Sequence, residues 1–189
     1  LVALGEIADM VSLTDENRTL VSWGLKQLST SPRPGLSALL KNAGQAANEP
    51  IISETVSFKI APRLNAVGRL GDAKLALDLL LSQDPDEAAE LASQIEAINA
   101  QRQEIVEEVF GAAKQMALSE AHQNDEVLII SGIDWHQGVL GIVASRLVEL
   151  LHKPAIVLSL VVGNYKGSGR SYGDFDLYAL MSQYRDLYD

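Results

Sequence analysis

Apolar residues fall into two regimes along this chain. Between residues 85 and 118 they recur at Leu91, Ile95, Ile98, Ile105, Val109, Ala113 and Met116. That spacing of threes, fours and sevens marks one face of an α-helix. The stretch has no internal proline and Gly111 is its only glycine, so it predicts one helix of about 33 residues, roughly 50 Å long at 1.5 Å per residue. Arg102 fills the gap in the series, Asp86 opens the helix, which begins at about Pro85, and the opposite face is Glu, Gln and Asn. After residue 126 the pattern changes to short unbroken apolar runs, Val127-Leu128-Ile129-Ile130 and residues 155–162, which read as buried strands. Between them a polar loop, Gly132-Ile133-Asp134-Trp135-His136-Gln137-Gly138, runs directly into an apolar helix start. Strand, loop, helix, strand is a βαβ unit.

The first 83 residues read as helical. The periodicity predicts a helix over 15–28. A loop at 29–35 follows, with Pro34 placed to open a second helix over 36–42 and Gly44 to end it. Residues 48–50 form a connection, 53–60 fit a short helix better than a strand, and Asp72 is placed to cap a helix running to residue 81. The resulting α/β architecture has a helical part at 1–83, a long connecting helix at 84–122 and a βαβ-containing domain at 123–189.

Composition sharpens this in three ways. Of 189 residues, 47% are apolar and 21% charged, an ordinary globular profile with enough chain for one large or two small cores. Zero cysteines excludes disulfides and thiolate metal sites and fits a cytoplasmic protein. Arg146 and Glu149 interrupt the longest candidate membrane span, and no signal peptide is visible. The chain begins at Leu1 and runs straight into an apolar and acidic motif, which reads as a piece cut from a longer chain. The net charge of −10 at first argues against a nucleic-acid partner, but the acidity is local. Residues 81–126 hold eleven acids and two bases, against eight and eight in 1–80 and six and five in 127–189. The potential at a site matters more to an anionic ligand than the net charge of the chain.

Four segments carry candidate chemistry. Asp9 sits in the mostly apolar run Ala8-Asp9-Met10. A carboxylate there would be buried at a cost unless it binds a metal, caps a helix or pairs with Arg18. Arg63, Asn65 and Arg69 fall in Ala61-Pro62-Arg63-Leu64-Asn65-Ala66-Val67-Gly68-Arg69, whose broken periodicity suggests irregular backbone suited to phosphate or carboxylate, or a turn whose arginines pair with nearby acids. His136 lies where backbone N–H groups and the positive end of a helix dipole converge, although most such loops bind nothing. Lys166-Gly167-Ser168-Gly169-Arg170-Ser171 gathers two hydroxyls, two glycines and two cations in six residues. Arg offers a fork that fits phosphate oxygens; a solvated hairpin turn is the plainer reading.

In order and spacing, LVALGEIADMVSLTDENRTLV, APRLNAVGRLGDAKLALDLLL, INAQRQEI, WHQGVLGIVASRLVE and KGSGRS resemble the RecJ family of single-strand-specific exonucleases, in the DHH phosphoesterase superfamily. The resemblance covers nearly the whole chain. It implies that 1–83 is the C-terminal part of a DHH domain and that 123–189 is the N-terminal part of a DHHA1-type nucleic-acid-binding domain, with a cleft between them that guides one DNA strand, 5′ end first. It implies a two-metal Mn²⁺ or Mg²⁺ site, with Asp9 as a catalytic metal ligand. Arg63, Asn65 and Arg69 would line the cleft, and His136, Ser168, Arg170 and Ser171 would hold phosphates. It further implies 5′→3′ hydrolysis of single-stranded DNA by a metal-activated water, in DNA repair and recombination in the cytoplasm, with no membrane and with protein partners unspecified.

Two departures stand out. The family's paired-aspartate and Asp-His-His motifs are absent: the histidines are His122, His136 and His152, none adjacent to another. The family's later glycine-histidine motif is absent too. The metal site is therefore expected to be incomplete here, and the 189 residues alone are not expected to cleave DNA. Two alternatives remain: a phosphodiesterase for oligonucleotides or cyclic dinucleotides, and a non-catalytic nucleic-acid-binding relative.

Overall fold

The structure is a computed structural model that describes residues 1–46 and 49–187; Asn48, where the connection at 48–50 was expected to begin, lies outside them. The chain divides into two compact units, Leu1–Gln101 and Arg102–Asp189.

The first unit is helical. It comprises α1 (Val2–Ala8), α2 (Asp15–Thr30), α3 (Pro34–Asn42), α4 (Ser53–Thr55), a π-helical turn at Val56–Ile60, α5 (Ala61–Leu70), α6 (Lys74–Leu81) and the first half of α7 (Pro85–Ala117). Its core gathers Leu39, Val56, Ile60, Leu79, Ala88, Ala92 and Ile95, all at most 1% exposed. Pro34 opens α3 as expected. The stretch 53–60 is helical, but its second half is wound as a π turn. Pro62 follows immediately; its missing N–H leaves the Phe58 carbonyl without an α-helical donor, and the ladder widens ahead of it.

Three expectations shift by small amounts for identifiable reasons. The long helix opens at Pro85, one residue before Asp86, with Asp84 ahead of it: Asp84 Oδ1 accepts from the N–H groups of Asp86 (2.8 Å) and Glu87 (3.3 Å), and Pro85 takes the first helical position, where no donor is needed. Asp72 accepts from the Lys74 N–H at 2.9 Å, one residue ahead of the α6 cap, Ala73. The buried seam of α7 runs through Ala88, Ala92, Ile95, Asn99, Val106, Val109, Ala113 and Ala117. That line is rotated by one position from Leu91, Ile98 and Ile105, because the small residues let neighbouring backbone come close while the larger side chains flank the seam.

The second unit holds β1 (Leu128–Ile133), α8 (Gln137–Leu151), β2 (Ala155–Val161), β3 (Asn164–Arg170) and α9 (Leu177–Ser182) beside the second half of α7. Strand order is β1-β2-β3. β1 and β2 pair in parallel, with Leu128 opposite Ala155, and β2 and β3 pair antiparallel, with Ala155 opposite Arg170. The predicted βαβ unit is therefore present, with α8 as its crossover. Leu128, Ile130, Val139, Leu140, Val143, Leu147 and Val157 fill the space between helix and sheet, each at most 1% exposed. Residues 166–170, read from sequence as a turn or phosphate loop, are instead most of a strand. Its glycines are packing devices: a Cβ on Gly167 would stand 2.3 Å from Leu158 Cδ2. Arg146 ties α8 to α7, donating to Glu107 at 2.7 Å with its guanidinium 4.3 Å from the Phe110 ring centre. Among the described residues no helix is long and apolar enough to cross a membrane.

Candidate nucleic-acid interface

In the first unit, the sequence candidates lie on α5 and at the end of α1. The segment 61–70 is helix throughout, not irregular backbone, and that regularity sorts its residues. Asn65 and Arg69, four apart, share a face, and Gly68 between them bares the helix backbone; all three are exposed. Arg63 points elsewhere. Its Nε and Nη2 bond both oxygens of Glu96, at 2.5 and 3.1 Å, and its Nη1 donates to the Lys59 carbonyl at 2.8 Å inside the widened turn. With 15% of its side chain exposed, Arg63 is a bidentate tie between α5 and α7, which leaves little of its fork for a ligand.

Asp9 is not buried in an apolar run. α1 ends at Ala8 and Asp9 is its C-cap, the N–H donating to the Gly5 carbonyl at 2.9 Å, with the residue exposed. Among the described residues no ion pair joins it to Arg18. Leu4, Gly5 and Ala8 of α1 face Ile60, Leu64 and Asn65 across a cavity of about 270 Å³. Asn65 thus borders the same space as the neighbour of Asp9. Among the described residues no three His, Cys, Asp or Glu side chains gather where they could hold a metal ion. The donors present do not make a metal site by themselves.

In the second unit, His136 is the N-cap of α8, its Nδ1 accepting from the Gly138 N–H at 3.1 Å. In the neutral ring this leaves the proton on Nε2, and the residue is exposed. The exposed Arg170, at the end of β3, donates from Nε to Ser145 Oγ (3.2 Å) and from Nη1 to Ser168 Oγ (3.2 Å) and the Gly169 carbonyl (2.8 Å). Ser168 and Arg170 stand two apart on a strand, so they share the sheet face toward α8. Ser171 turns away from this group and accepts from the Leu177 N–H at 3.3 Å at the start of α9. The structure thus brings Ser168 and Arg170 together beside α8, whose N-terminus His136 caps, and leaves Ser171 as a loop tie. Ser145 was not singled out from sequence. Its signal was available in the small residues Gly141 and Ser145, four apart on one helix face, which predict close approach by a neighbouring element.

Residues 124–188 match the DHHA1 domain. Across 99% of its length the chain is 42% identical to the single-stranded-DNA-specific exonuclease RecJ of Bacillus subtilis (strain 168), of which it spans 24%. It is 35% identical to the protein of the same name from Thermus thermophilus, spanning 26% of it. The structure superposes on that of RecJ in complex with Mg²⁺ from Thermus thermophilus with a TM-score of 0.86 at 34% identity, covering 98% of this chain and 28% of that one. On exonuclease RecJ bound to manganese the TM-score is 0.77 at 33% identity, covering 95% and 44%. The chain therefore spans about a quarter of the length of these curated relatives. By sequence and by fold it is similar to one segment of the RecJ exonucleases, and residues 124–188 match the DHHA1 domain.

Proposed function

We propose that this chain serves a metal-dependent 5′→3′ single-stranded-DNA exonuclease, and that its own contribution is chiefly to hold the strand. In this reading residues 1–83 are the C-terminal part of a DHH domain and 84–122 the connecting helix. Asp9 supplies one carboxylate to a site for Mn²⁺ or Mg²⁺ whose other ligands are not among the residues described. Asn65 and Arg69 offer an exposed amide and cation on one helix face. His136, Ser168 and Arg170 offer N–H and O–H donors to phosphate, none of which reads a base, as a strand-tracking surface requires. Arg63 and Ser171 act by holding α5 and α9 in place.

The observation that carries the reading is the Arg170 guanidinium, exposed yet held by two hydroxyls and a carbonyl, within a DHHA1 match. Arg170→Ala is expected to weaken binding of a single-stranded oligonucleotide about tenfold and to reduce the salt dependence by about 0.7 of a logarithmic unit, the value for one phosphate contact on a single strand. Fluorescence anisotropy across a salt series measures both. Unchanged affinity and slope would remove Arg170 from the interface.

A further inference from the structure

An arginine at the end of a strand has many rotamers, and its use to a phosphate depends on being held in one of them. Three features of α8 hold Arg170. Ser145 Oγ donates to the Gly141 carbonyl one turn back at 3.0 Å, which commits its only proton to the helix. Its lone pairs are thereby turned outward, and one receives Arg170 Nε at 3.2 Å. Gly141, on the same helix face, supplies clearance: a Cβ there would lie 3.0 Å from Arg170 Nη2 and 3.0 Å from Ser168 Oγ. The guanidinium is thus gripped along its Nε edge by a hydroxyl whose own direction is fixed by the helix, and fits because position 141 has no side chain.

We propose that Ser145 is the positioning residue for Arg170, with Gly141 as the clearance that lets the guanidinium lie against α8. The proposal rests on the reading of Arg170 as a phosphate contact and adds what orients it. Ser145 touches no DNA itself. It fixes the plane of the guanidinium, whose Nη1 is held by Ser168 and Gly169, so that Nη2 is the nitrogen offered to a phosphate and the ordering cost on binding is lowered.

The test is binding of a 5′-phosphorylated, 3′-labelled oligothymidylate to the protein in EDTA, with the thermal midpoint recorded for each variant. Ser145→Ala is expected to weaken binding about fivefold, the typical net effect of losing one hydrogen bond, with the midpoint unchanged. Ser145→Thr keeps an Oγ that bonds the same carbonyl and is expected to restore affinity. Ser145→Ala combined with Arg170→Ala is expected to bind no more weakly than Arg170→Ala alone. Gly141→Ala favours the helix intrinsically yet crowds the guanidinium, so affinity should fall while the midpoint holds or rises. If Arg170→Ala weakens binding and Ser145→Ala does not, or if the two losses add, Ser145 does not position Arg170 and the proposal fails alone. If Arg170→Ala has no effect, the phosphate reading falls and the proposal falls with it.

Discussion

Ser159 lies in the middle of β2 between Gly132 and Lys166. Its side chain is 0% exposed, and among the described residues its hydroxyl has no hydrogen-bond partner. A hydroxyl removed from water without a partner costs free energy that a methyl group does not. Ser159→Ala is therefore expected to raise unfolding free energy by about 1 kcal/mol, read as a higher denaturant midpoint with unchanged slope. A lower midpoint would mean that the hydroxyl is bonded in solution. At this scale the sequence was readable for kind and unreadable for pairing. Arg63 and Arg170 meet the same criterion, a cation in a short segment that also holds glycine and polar side chains, and nothing local separates them. What separates them is Glu96, 33 positions from Arg63, and Ser145, 25 positions from Arg170. The exposure of Asp9 is hidden for the related reason that burial depends on where α1 stops, which its apolar neighbours do not reveal.

Elements were more legible than partners, because periodicity is a property of the segment itself. The long helix, the βαβ unit and Pro34 at the start of α3 follow from pattern and punctuation alone. The exceptions lie where glycine or proline reads as a turn or irregular backbone. In α5 the Pro62 irregularity is confined to the preceding π turn, and in β3 Gly167 makes room for Leu158 and Gly169 for Leu177. The β2–β3 connection shows the same principle in reverse. Val162 and Gly163 form a two-residue turn, both with positive φ, +48° and +80°. Such a primed turn matches the twist of the strands it joins but suits Asn, Asp or Gly, and a β-branched residue is strained there. Val162 is also 95% exposed, so no packing offsets the strain. Val162→Asn is expected to stabilise the second unit by about 1 kcal/mol, raising its thermal midpoint by several degrees. A fall in the midpoint would show that the turn relaxes to another type.

At the scale of the whole molecule, charge and metal chemistry lead to the same expectation. With 15 basic and 25 acidic residues, the chain has no general attraction for a polyanion, so affinity for a strand must come from particular donors such as Arg170 and Arg69. Those donors need no metal. A divalent ion, by contrast, needs several oxygen ligands at once, and among the described residues no group of three candidate ligands exists. Asp9 is exposed at the end of α1, where one carboxylate alone binds a metal weakly. The 189-residue chain is accordingly expected to bind a single-stranded oligonucleotide equally in Mn²⁺ and in EDTA and to leave it uncut. Its thermal midpoint should also ignore the ion. A complete site with micromolar affinity would add about 4 kcal/mol to stability in millimolar Mn²⁺, by the linkage of binding to folding, and that shift would disappear on chelation. An Mn²⁺-dependent rise in the midpoint, or cleavage that Asp9→Ala abolishes, would mean that Asp9 already belongs to a working site within these residues. Strand holding by Asn65 and Arg69 and metal chemistry at Asp9 would then share the first unit.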